Sequence, residues 1–215
     1  MERNTNPLRD FEKALTPQQR RIFRGLTMPG KVQRFLDSVR YSDADIYCCP
    51  LTLMKKNRGG CFEGALFAAC AFRRLGYPSL IVEMTSENDD DHVLAVYRKN
   101  GFWGAVAKSI FPGLRSRQPV YKTIRELVMS YFEFYYNLKC QLTLRGFSAP
   151  LDLKKLDEKE WMVSDKAVAV VGKALDKTRH FQLFPSRLGR KLARIDTWTY
   201  RAGMLGTDRS KVYRA

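Results

Sequence analysis

Apolar residues in the first third of the chain recur at the helical period. Val32, Phe35, Leu36 and Val39 fall on one face, which predicts a short amphipathic helix over Lys31–Arg40. Ahead of it, Pro7–Leu15 or Pro17–Gly25 predicts a helix, and Thr16-Pro17 fits a helix start with proline first. Leu51-Thr-Leu-Met predicts a helical turn. A longer helix is expected from Cys61 to about Leu75, with Ala65, Ala68, Phe72 and Leu75 on the cysteine's face and Gly76 and Pro78 as its stop. Cys70 falls on the opposite side, at about 100° per residue, and reads as a buried structural cysteine.

The pattern then shortens. Ser79–Met84, His92–Arg98 and Phe102–Ala107 read as strands; Ser86–Asp91 is an acidic loop, and Asn100-Gly101 is a hairpin signal. From Pro119, Val120, Ile124, Leu127, Val128, Tyr131, Phe134, Tyr135 and Leu138 return to helical spacing, so one long helix is expected there, its aromatic end continuing an apolar stripe into the core. Gln141–Leu144 reads as a further strand, followed by a charged connector. A helix is expected from Ser164-Asp165 to about Lys177, with Val168, Val171 and Leu175 inward, and a shorter basic one over Ser186–Ile195. From Asp196 the polar chain either wraps back over the core or stays partly disordered. This order predicts an α+β fold in which the cysteine-bearing helix packs on an antiparallel sheet. Residues 1–160 form the expected main domain with N-terminal helices, and 161–215 a basic helical appendage packed on it.

Composition narrows the partners. A length of 215 residues and 45% hydrophobic content allow a sizeable core, with no apolar run long enough to cross a membrane and no apolar leader, so a cytoplasmic location is expected. Five cysteines without a CxxC pair, beside two histidines, disfavour a disulfide framework and a structural metal site; no cofactor is expected. The formal charge of +16 admits an acidic partner such as nucleic acid, although the cations are spread along the chain.

The candidate chemistry lies in Arg58-Gly-Gly-Cys61. A helix N-terminus offers unpaired N–H groups and partial positive charge, which favour a thiolate and predict a lowered pKa. His92 opens a strand that the fold can bring beside that helix start, where an imidazole could take the thiol proton. Glu63, in the first helical turn, reads as complementing the helix dipole.

Arg58-Gly-Gly-Cys61 with its helix through Leu75-Gly-Tyr-Pro78, then Asp91-His92-Val-Leu-Ala-Val-Tyr, then Asn100-Gly-Phe-Trp103, resembles the transglutaminase-like branch of the papain-like superfamily over roughly residues 50–110. The resemblance implies a papain-like core, Cys61 as nucleophile, His92 as general base, and acyl transfer or hydrolysis of a peptide or protein amide through a thioester. It also implies an orienting carboxylate four residues after the tryptophan, where this chain has Ala107. Ser109 on the same strand face, or Asp90 or Asp91, are the candidate substitutes for orienting His92, and Gln33 or Asn57 the candidate oxyanion amides. Without a carboxylate, the alternative is a catalytically silent binding module with a basic surface for nucleic acid or an acidic protein. A further alternative is an arylamine acetyltransferase-like acyl carrier.

Overall fold

The computed structural model describes residues 6–42, 47–207 and 212. Both proline-led N-terminal segments are helical: α1 (Pro7–Ala14) is capped by the Asn6 side chain, and α2 (Pro17–Gly25) by a reciprocal Thr16–Gln19 capping box. α3 (Pro29–Ser38) follows, and β1 (Arg40–Tyr41) pairs in parallel with β2 (Arg58–Gly59) across α4 (Pro50–Lys56). α5 (Cys61–Arg74) is the central helix. Its residues from Glu63 to Phe72 are all buried, because α1, α3, α4 and a sheet cover it on every side.

That sheet is broader than the four strands the pattern predicts. β3 (Leu80–Ser86), β4 (His92–Lys99) and β5 (Phe102–Val106) form its antiparallel centre, with Asn100 and Gly101 both at positive φ in the tight turn. β6 (Arg117–Tyr121) adds beyond β5, while β7 (Leu144–Ser148) and β9 (His180–Gln182) add beyond β3. A short β8 (Leu151–Asp152) pairs with the free stretch of β3.

The sheet is buried on both faces, so β4 is apolar almost throughout rather than alternating. Ile81, Val93, Ala95 and Tyr97 face α5; Val82, Met84, Leu94 and Val96 pack against a second core with Leu127, Val128, Tyr131 and Tyr135. By alternation His92 belongs with this second set.

Three expected elements are corrected. The long helix from Pro119 does not form: its start is edge strand β6, helix α6 covers only Ile124–Met129, and a 3-10 turn follows at Phe132–Phe134. Pro119 lacks an N–H, which an edge strand tolerates, and Thr123 caps a new helix start by accepting from Glu126 N–H. The aromatic stripe is core at Tyr131 and Tyr135 but exposed at Phe134 and Leu138. The strand expected over Gln141–Leu144 runs instead over Leu144–Ser148, where β3 and β9 offer partners. The basic helix expected to reach Ile195 is one turn, α8 (Ser186–Gly189).

α7 (Asp165–Asp176) carries Val168, Val171 and Leu175 into the same hydrophobic cluster as α5, beside the fully buried Trp161. The 160/161 boundary thus runs through one continuous core. α9 (Thr197–Gly203), capped by Asp196, returns over the α6–β7 region.

Candidate functional site

Cys61 is the first residue of α5. Gly60 has no side chain to cap the helix, so Glu63 does it alone: its carboxylate accepts from Gly60 N–H at 2.8 Å. Gly59 lies hard against Leu53 and Glu63, leaving little room for a side chain at the entry. Gly64, one turn on, is crossed by the Lys108 stem at a distance that excludes any Cβ. The buried Lys108 ammonium then donates to the Leu36 and Val39 carbonyls at the end of α3, the favourable end of that helix for a cation.

Cys61 and His92 line one cavity of about 60 Å³, together with Ser109, Leu114, Tyr135 and Tyr136. The Cys61 thiol donates to the Asp91 carbonyl at 4.0 Å, immediately before β4. His92, 5% exposed, places Nε2 at 2.9 Å from the carbonyl oxygen of Leu114. A carbonyl oxygen can only accept, so Nε2 carries the hydrogen and Nδ1 keeps its lone pair as the basic atom. Leu114 ends a 3-10 turn, Pro112–Leu114, that follows β5.

This geometry revises the orienting candidates. Ser109 lines the cavity, but its hydroxyl accepts from Phe111 N–H at 3.0 Å and serves the turn, while the His92 Nε2 bond goes to Leu114. The Asp91 carboxylate is taken by Ser86, through its N–H at 2.7 Å and its hydroxyl at 3.1 Å. Asp90 presents its main-chain carbonyl to Tyr135, whose hydroxyl donates at 2.5 Å. Ala107 has no carboxylate to offer, and its backbone N–H and C=O are both bonded to the Gln33 amide. Gln33 is consumed in that bond and is not an oxyanion donor; Asn57 is exposed at the left-handed end of α4 and does not line the cavity. The partner of His92 that sequence reasoning missed is the Leu114 main-chain oxygen, which no side-chain pattern encodes.

Electrostatics corrects a second expectation. Burial pushes the Cys61 thiol up to about 11, with the negative charges of Glu63 and Asp90 adding to it; the N–H groups of Val93 and Phe62 oppose the rise and do not overcome it. Burial likewise lowers His92 to about 4, against the pull of the Leu114 carbonyl. Both groups are therefore neutral at rest.

The C-terminal segment lines one side of this cavity. Tyr200 and Met204 stand in its wall. The segment is held by the Tyr136 hydroxyl donating to Thr199 C=O at 3.4 Å, by Gly203 packed against that hydroxyl, and by the Thr207 hydroxyl donating to Ile110 C=O at 3.2 Å. A second, open groove of about 780 Å³ also reaches Cys61; Tyr47, Glu83, Asp90, Val168 and Asp176 are among its walls.

Among the described residues no group of three or more metal-ligating side chains comes together, and no helix is long and apolar enough to cross a membrane. All five cysteines are free. No model of a known protein family matches the chain, and no curated protein matches it.

Proposed function

We propose that this protein is a transglutaminase-like thiol enzyme, with Cys61 as nucleophile and His92 as general base, acting on a peptide or protein amide. One observation carries the reading: His92 shares a cavity with Cys61 and has its Nε2 hydrogen committed to Leu114, which leaves Nδ1 free for a thiol proton. The open groove at Cys61 provides a path for an extended chain. In the reaction, Nδ1 takes the Cys61 proton as sulfur attacks the carbonyl carbon. The resulting imidazolium returns the proton to the leaving amine, and a thioester remains on Cys61. Water, activated by the same nitrogen, then releases the acid; an amine in its place gives transfer. Because both groups rest neutral, proton transfer accompanies attack rather than preceding it. Free thiols at all five positions fit a reducing compartment such as the cytoplasm.

The test is iodoacetamide labelling at pH 7.5, read at each cysteine by peptide mass spectrometry. A thiol with a pKa of about 11 has on the order of one thiolate in 10⁴ at neutral pH. Cys61 labelling faster than that thiolate fraction alone allows, with the excess lost in His92→Gln, is the expected result. Equal, slow labelling at all five, both in the intact chain and in one ending at Ile195, would refute the reading.

A binding module is the second reading, and one observation favours it. Arg187, Arg190, Lys191, Arg194 and Arg201 are exposed, and none forms an ion pair among the described residues. Such a surface suits a nucleic acid or an acidic protein.

A further inference from the structure

The Leu114 carbonyl can orient His92 only if the loop bearing it is held still. Residues 112–116 form the second half of the connection from β5 to edge strand β6 and carry no ladder bonds of their own. Yet nearly every peptide in the loop is pinned from outside. The Arg117 guanidinium donates to Gly113 C=O at 2.8 Å and to Ser116 C=O at 3.1 Å, on either side of Leu114. Its other donors reach α6, at the Ser130 hydroxyl (3.0 Å) and carbonyl (3.1 Å). The guanidinium lies 3.8 Å over the ring of Tyr131, which is fully buried and whose hydroxyl donates to Arg115 C=O at 2.8 Å. The Arg115 side chain in turn pairs with Asp37 of α3 at 3.2 Å. Carbonyls 113, 115 and 116 are thus each held by a donor, and the carbonyl between them, that of Leu114, faces His92.

A planar, five-donor guanidinium suits this task better than an ammonium, because its fork spans several carbonyls at fixed angles while its face stacks on the ring. We propose that Arg117 and Tyr131 are positioning residues for His92: they fix the 112–116 turn so that the Leu114 main-chain oxygen does the orienting for which position 107 lacks a carboxylate. The assignment rests on the thiol-enzyme reading for its catalytic consequence, but not for its geometry. A carbonyl carries no net charge, so this arrangement selects the tautomer and aims the ring while stabilising an imidazolium less than a carboxylate would.

The experiment is long-range ¹H–¹⁵N correlation of the imidazole nitrogens, which reports directly which nitrogen bears the proton. The chain has only two histidines. His180, paired with Glu83 far from the turn in sequence, is removed as His180→Asn to leave one signal set. In that background His92 should appear as the single Nε2–H tautomer. Arg117→Gln should give a mixture of both tautomers and cut the His92-dependent excess of Cys61 labelling at least tenfold. Arg117→Lys, which keeps the charge and loses the fork, should fall between. Tyr131→Phe deletes one donor and keeps the ring; it should shift the tautomer ratio less, and it decides the matter if Arg117→Gln does not fold. An unmoved tautomer in a folded Arg117→Gln protein, or in Tyr131→Phe where that protein does not fold, overturns the proposal. Labelling of Cys61 that ignores His92 would sink the thiol-enzyme reading and leave the tautomer result standing.

Discussion

His92 is a buried imidazole with one polar partner for Nε2, and its environment makes its protonation a stability term. Its folded-state pKa of about 4 lies below the ordinary value of 6.5. On acidification the unfolded chain binds the proton first, so the stability present above pH 6.5 is lost as pH falls toward 4. The full loss is about 3 kcal/mol. Urea unfolding at pH 7 and pH 4.5 should show this loss, and His92→Gln, which can still donate to Leu114, should flatten that part of the profile. An equally steep profile in the variant would assign the loss to other groups. Cys61 was legible at this scale as a helix-start thiol; the direction of its pKa shift was not. A helix terminus is a local property, whereas desolvation sums over everything packed around the sulfur, and Glu63, two residues on, adds a negative charge while capping the same helix.

Among the elements, α5 and the hairpin of β4 and β5 announce themselves by period, caps and the Asn-Gly turn. The segment from residue 117 to 138 shows where period alone misleads. Its apolar residues keep helical spacing, but β5 presents an open edge, and pairing of Trp103 with Tyr121 outweighs the local pattern. The C-terminal segment carries the clearest functional consequence at this scale. Tyr200 and Met204 complete the wall beside Cys61 and His92, yet few hydrogen bonds hold them. A chain ending at Ile195 should therefore open the His92 side of the cavity; because the open groove already reaches Cys61, its iodoacetamide rate should rise only severalfold, with circular dichroism unchanged. A rate equal to that of the intact chain would mean that the segment does not limit access.

For the whole molecule, the charge of +16 is the property that the thiol chemistry leaves unused. Between residues 177 and 201 Asp196 is the sole carboxylate, and it is spent capping α9. If this surface docks a polyanion, affinity for a DNA oligonucleotide should fall steeply with salt. Replacing Arg187, Arg190, Lys191 and Arg194 with Gln should reduce that log–log slope, whereas Cys61→Ala should leave it unchanged. No binding at low salt would remove the binding-module reading and leave the enzyme reading untouched.

The sequence by itself determined the α+β order, the cysteine at a helix start, the histidine at a strand start and the missing carboxylate at Ala107, because each is written in local propensity, period or residue identity. Only the tertiary structure decided what stands behind His92, what covers Cys61 and whether either is charged at rest. The atom behind His92 is a main-chain oxygen, identical at every position until folding aims one of them. Part of that cover comes from residues more than a hundred positions away in the chain. The charge state follows from how much water the packed molecule excludes.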